Sequence, residues 1–185
     1  MKFVSTLTAL TLIMSVFSSP LPQDANTGPD SNGVSVLRSK KYKELQISDG
    51  VAGNAEQEAA TRFEGIDLNN LASVSDADVK LIKGIHDVAE NAELKAFDPA
   101  IARASGPELD ALKVSFSSHP RIGKTKNKVL KTLATVLQLK IRIEKGEKID
   151  PEDFKIQKAK MDNNIALDKK ASGNDSKGVE FNGSN

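Results

Sequence analysis

The segment KTKNKVLKTLATVLQLKIRIEK, residues 124–145, constrains the fold more than any other part of the chain. Its apolar residues Val129, Leu130, Leu133, Val136, Leu137, Ile141 and Ile143 recur at helical intervals and cover a face too broad for one neighbour. A helix with such a face is central and is touched from two sides. Gly146 is placed to end it. Asp150-Pro151-Glu152-Asp153 then opens another helix, with a capping carboxylate, proline in the first turn, and Phe154, Met161 and Ile165 on its buried face. The short connection makes the two an antiparallel αα-hairpin.

Upstream, helical patterns recur with their own punctuation. Ser48 or Asp49 can cap a first helix ending at Arg62 or Phe63, with Val51, Ala55, Ala59 and Phe63 in one narrow stripe. Ser75-Asp76-Ala77-Asp78 resembles a capping box. It starts a helix carrying Val79, Ile82, Ile85, Ala89 and Ala92 that stops near Phe97. Asp98-Pro99 begins a short third helix, Ser105-Gly106-Pro107 ends it, and VSFSSHPRIG, residues 114–123, reads as a loop. Strand-like alternation is absent except for a hint at Leu45 to Ile47. The fold expected is all-α, a bundle of four to five helices with a C-terminal αα-hairpin and disordered N- and C-terminal tails.

Residues 1–18 have the layout of a secretory signal peptide: one lysine, an apolar run from Phe3 to Phe17, then small residues. The run is shorter than the ~20 residues a bilayer-spanning helix needs. Residues 19–35, rich in Pro, Gly, Asn, Asp and Ser, form an expected disordered lead-in. The helical domain is then 36–171, and 172–185 is expected to be a disordered tail. The chain has no cysteine, which excludes disulfides, thiol nucleophiles and thiolate metal sites, so stability rests on the apolar core. Tryptophan is absent and Tyr42 is the single tyrosine, which argues against stacking platforms for sugars or single-stranded nucleic acid.

Two stretches imitate phosphate-binding loops. GVAGNA, residues 50–55, has glycines before a helix, but neither the spacing nor a preceding strand suits a dinucleotide fingerprint. Tight packing explains it better, either a close backbone approach or a helix that starts nearer Asn54. Gly123-Lys124-Thr125 has the ending of a Walker loop, yet Ser118 stands where the first glycine belongs.

Charge is near neutral overall but unevenly placed. Residues 44–110 carry 14 Asp and Glu against 5 Lys and Arg, whereas residues 111–148 carry 10 basic and 2 acidic residues. Acidic and basic helices packed together would neutralise within the domain. Lys124, Lys126, Lys128 and Lys131 nonetheless crowd the start of a helix, where the macrodipole disfavours cations. They are the candidate contact for an anionic partner, and their replacement by glutamine would then weaken binding to anionic polymers or lipids.

Other chemistry is sparse. His86 has Asp87 and Glu90 nearby on its helix, and His119 stands in the expected loop, but one histidine per site is a weak metal pattern. No Gly-x-Ser-x-Gly elbow occurs. No cofactor, metal or catalytic constellation is expected, and the chain reads as a non-enzyme. Asn174-Asp175-Ser176 and Asn182-Gly183-Ser184 are N-glycosylation sequons, with Asn174 and Asn182 as acceptors.

The stretches VLRSKKYKELQISDGVAGNAEQEA, IDLNNLASVSDADVKLIK, AELKAFDPAI and GKTKNKVLKTLATVLQLKI resemble a group of small secreted proteins of filamentous ascomycete fungi. The resemblance covers roughly residues 34–170, with SFSSHPR as an apparent insertion that makes His119 peculiar to this chain. It implies a secreted, effector-like protein without an assigned activity. The function expected is secreted, non-enzymatic binding of an unknown protein or anionic surface, in the cell wall or on a host, with no specific nucleic acid and no integral membrane association. The alternative is a structural component of a wall or matrix without a specific ligand.

Overall fold

A computed structural model describes residues 34–104 and 118–185, with side chains given outside 104–120. The expected signal peptide, most of the lead-in, the turn at 105–107 and the segment 114–117 lie outside the described residues.

The elements run α1 (Tyr42–Leu45), β1 (Gly50–Val51), α2 (Ala55–Ala60), α3 (Asp76–Ala92), α4 (Asp98–Ala104), α5 (Ser118–Glu144), α6 (Pro151–Lys170) and β2 (Asp175–Ser176). Helix dominates, and the only sheet among the described residues is the two-stranded β1–β2 pair. The all-α expectation holds. α5 is central: α3 and α2 pack on it, and α6 returns along it as the antiparallel partner. Val129, Leu130, Ala134, Leu137 and Ile141 of α5 are buried against Ile82, Ile85, Val88 and Ala92 of α3. α6 opens as expected, with Pro151 in the first turn and the Asp150 carboxylate accepting the Glu152 N–H at 2.9 Å.

α3 begins at the expected cap: the Ser75 hydroxyl accepts the Asp78 N–H at 3.0 Å. The Asp78 side chain then reaches outward to the entering chain. It accepts the Ser35 hydroxyl at 2.6 Å and the Leu37 and Val36 N–H groups at 2.8 and 3.2 Å. Ser35, placed at the end of the disordered lead-in by its composition, is thus tied to the domain.

The expected stop at Phe97 does not occur. α3 passes through a π-helical turn, Glu93–Phe97, directly into α4. Asp98 keeps right-handed helical backbone although Pro99 follows, and the wider π turn lets the helix continue through a proline that would otherwise end it. The 114–123 loop is corrected likewise, because α5 starts at Ser118 and His119 stands in its first turn.

The first helix is shorter than its apolar stripe suggested. It starts at Ala55, runs to Ala60 and tightens into a 3₁₀ turn, Thr61–Phe63, with Ala55, Ala59 and Phe63 buried. Val51 lies in β1 and is 48% exposed.

The largest correction concerns residues 172–185, which are not a disordered tail. β2 pairs antiparallel with β1, Gly50 opposite Ser176 and Val51 opposite Asp175. Residues 174–185 continue as an arm over α3 and α5, with Val179 and Phe181 packed against the core. The Tyr42 N–H donates to Gly183 O at 2.7 Å and the Asn185 N–H to Lys40 O at 3.2 Å. Its polar, glycine-rich composition suggested too little to bury. Backbone pairing and two apolar side chains suffice because the rest of the domain supplies the apolar surface.

Glycines make the crossing possible. A Cβ on Gly84 of α3 would stand 2.7 Å from the carbonyl carbon of Asn185, and one on Gly123 of α5 would collide with Lys177 O. Glycine inside a helix costs about 1 kcal/mol relative to alanine; at these two positions that cost admits the arm.

Candidate functional site

The lysine run lies inside α5, beyond the first turn that begins at Ser118, and does not form one surface. Positions 124, 128 and 131 share a helix face, and position 126 points the other way. Lys124, Lys128 and Lys131 converge on Glu93 in the π turn, at 3.3, 3.4 and 2.7 Å. Lys124 also bonds Asp98, and Lys131 lies 3.9 Å from Glu90. Three ammonium groups therefore meet three carboxylates. Burial pushes the Glu93 carboxyl up, but the three lysines outweigh it and hold the group below the usual carboxylate range. Burial lowers the Lys124 ammonium, and Asp98 and Glu93 more than reverse that. These cations sit past the helix start at Ser118 and neutralise carboxylates of the acidic half of the domain, so the side chains singled out for an anionic partner are engaged within the fold.

Lys126 is fully buried. Its ammonium donates to Asp49 O and Val51 O, both at 3.1 Å, and pairs with Glu58 Oε2 at 2.8 Å. Asn127 beside it accepts the Tyr42 hydroxyl at 2.8 Å and donates to Ala89 O at 2.8 Å. The Tyr42 ring is fully buried, which pushes its phenol well above the usual range. Lys-Asn at 126–127 thus ties ISDGVAGNA to α5, and α5 to α1 and α3.

Asp168 completes the tie. Its Oδ2 accepts the Gly53 N–H at 3.0 Å and the Ala55 N–H at 2.8 Å. These are the free amides at the start of α2, where Asn54 makes no side-chain cap. Asp49, the expected cap, instead accepts the Gly178 N–H at 2.8 Å. Gly53 has φ +117, and its α-carbon faces Ser172 at a distance that leaves no room for a side chain. The close approach expected at GVAGNA is real, but it is to the chain just past α6.

His86 Nδ1 lies 2.8 Å from the Thr135 hydroxyl, and its Nε2 is 3.6 Å from Glu90 Oε2. Hydroxyl, imidazole and carboxylate in sequence resemble a triad, but Thr135 also donates to Lys131 O at 3.1 Å, the ordinary bond of a helical threonine. A cavity of about 220 Å³ near Leu37, Arg38, Arg62 and Ile85 does not include them. No group of three metal-ligating side chains occurs among the described residues. Asn174 is exposed and donates to Ala171 O at 2.8 Å, whereas Ser176 of its sequon is buried and donates to Ser48 O. Asn182 is exposed on the arm.

A family described as a domain of unknown function, DUF8454, matches residues 37–180. The chain belongs to this family. The DUF8454 span starts at buried Leu37 and takes in Lys126, Asp168 and the β1–β2 pair, so the whole internal tie lies within it. No curated protein and no solved structure matches the chain.

One surface was missed by sequence reasoning. α6 buries Asn164, Ile165 and Asp168 on one side. On the other, Ile156, Lys160, Asn163, Leu167 and Lys170 follow at steps of four, three, four and three, and all are exposed. Ile156 and Leu167 are 44% and 46% exposed. Lys155, Lys158 and Lys169 have carboxylate partners on or near α6; Lys160 and Lys170 have none among the described residues. Two unburied aliphatics opposite the Phe154, Met161 and Ile165 face were the available signal.

Proposed function

We propose that the chain is a secreted, non-enzymatic protein that binds a partner at the cell surface or host interface through the outer face of α6. The observation that carries this reading is the stripe Ile156–Lys160–Asn163–Leu167–Lys170. Single exposed aliphatics are common on any protein surface. Here two share a helix face with two cations that no carboxylate among the described residues engages, a combination suited to an acidic protein surface with apolar patches. The signal-peptide pattern of residues 1–18 and the resemblance to small secreted fungal proteins support an extracellular setting. Among the described residues, no helix is long and apolar enough to cross a membrane.

The test uses the full chain expressed with its leader. Protein free in the medium supports the reading, and retention in washed wall material favours a structural wall component instead. Purified protein is then incubated with host-surface and wall fractions at low and high salt. I156E/L167E and K160E/K170E are each expected to reduce capture about tenfold, and capture equal to the parent chain in both overturns the α6 surface.

A further inference from the structure

We propose that residues 174–185 exchange between two copies of this chain, the arm of each filling the α3–α5 groove of the other. The arm leaves from the end of α6, where Asn174 bonds Ala171 O, yet from residue 175 onward the bonds that hold it run to other parts of the domain. β2 pairs with β1, the Gly178 N–H bonds Asp49, and the Ser176 hydroxyl bonds Ser48 O. Gly183 O accepts the Tyr42 N–H, and the Asn185 side chain accepts the Lys40 N–H at 2.6 Å. Each of these can form equally well with an arm from a second molecule, which is the condition for exchange of an identical element.

The groove also selects its occupant. Phe181 stands edge-on to Tyr42, ring centroids 5.7 Å apart. A Cβ at Gly178 would collide with the Gln46 side chain, and one at Gly183 would stand 2.9 Å from Val88 Cγ2. Glycines in the arm therefore meet close walls, and glycines 84 and 123 in the floor meet the arm backbone. The peptide that satisfies both sets is the arm's own sequence, so the partner is another copy.

The link is short and jointed. α6 ends at Lys170, and Gly173 has φ +85 with its N–H on Ala52 O at 3.2 Å. Glycine passes from this conformation to an extended one without steric cost, so straightening the link carries the arm outward. Gln46 Oε1, buried without a hydrogen-bond partner among the described residues, gains water when the arm lifts, which offsets part of the opening cost. Reciprocal exchange gives a closed two-fold dimer.

The absence of cysteine makes the test direct. Val51 and Asp175 are exposed cross-strand partners. Full-length V51C and full-length D175C, carrying tags of different mass, are mixed at high concentration, warmed, cooled and oxidised. A V51C–D175C heterodimer that increases with concentration is expected. The single chain V51C/D175C reports the arm in its own groove as an intramolecular crosslink. Crosslinking in that chain without heterodimer in the mixture overturns the proposal. G173A, which strains the closed link, is expected to raise the dimer fraction about fivefold or more by sedimentation. A G173A chain that stays monomeric at every concentration overturns the proposal independently of the disulfide chemistry.

Discussion

Asp168 accepts the Ala55 N–H at 2.8 Å, so the helix that starts at residue 55 is capped by a side chain 113 residues later. The carboxylate is 1% exposed and also takes the Gly53 N–H. Replacing it by alanine leaves two amides at a buried helix start without an acceptor. D168A is expected to destabilise the domain by about 2 kcal/mol in urea unfolding. D168N keeps one acceptor oxygen and should lose less than half as much. Parental stability in D168A would contradict the capping role.

The two kinds of lysine in the run should separate sharply. Lys126 is buried against Glu58 and two carbonyls, so K126M removes a cation from a site built around it and is expected to cost about 3 kcal/mol. Lys128 is 38% exposed and is one of three lysines on Glu93, so K128Q should stay within about 0.5 kcal/mol of the parent. Thermal unfolding of both variants checks this, and equal losses would contradict it.

Gly123 offers a test in which helix propensity and packing oppose each other. Alanine would strengthen α5 by about 1 kcal/mol in isolation, but its Cβ collides with Lys177 O. G123A is expected to be net destabilising and to lose amide exchange protection at residues 176–183. Tyr42 packs against the arm and is the sole tyrosine in a chain without tryptophan, so intrinsic fluorescence reports the same event. A stabilised G123A with a protected arm would show that the arm does not press on the helix.

Acid should release the entering segment at residues 35–37. Burial raises the Asp78 carboxyl, but hydrogen bonds from Ser35, Leu37, Ser75 and Val36 together outweigh it, and the group titrates below its usual range. A carboxyl depressed in the folded state contributes stability above its unfolded pKa of about 3.9, and that contribution disappears as pH falls through the lower folded value. The stability gap between the parent and D78N should be largest near pH 7 and close in strong acid. A gap independent of pH would show that Asp78 acts through packing alone.

What could be read from the chain was what neighbouring residues decide. The α5 face from Val129 to Ile141, the Ser75 hydroxyl cap and the Asp150-Pro151 start depend on side chains within a turn or two and are found as read. Ile143, by contrast, is 41% exposed, and the Asp78 carboxylate bonds the entering chain instead of completing the capping box. For α2 the Ser48 or Asp49 start was misplaced and the alternative start near Asn54 is the one found; its cap comes from Asp168, which nothing near Asn54 announces. The arm was misread because Ser176, Val179 and Phe181 bury little by themselves and rely on a floor made by Gly84 and Gly123. Asp98-Pro99 was taken for a break because the compensating π turn leaves no composition signal. The lysine run carried a usable clue: Lys126 is out of step with 124, 128 and 131, as expected of a residue on another face. The α6 stripe became visible only once its opposite face was known to be buried.

Contacts between residues 40–42 and 183–185 give this helical domain a folding problem more typical of sheet proteins. Helices form from local interactions, but the cover over Tyr42 requires closing a loop of about 140 residues, which slows folding and places that step late. A chain emerging from a ribosome keeps Tyr42 and the floor of the groove uncovered until residues 174–185 arrive. Completion of the domain is therefore timed by its last segment.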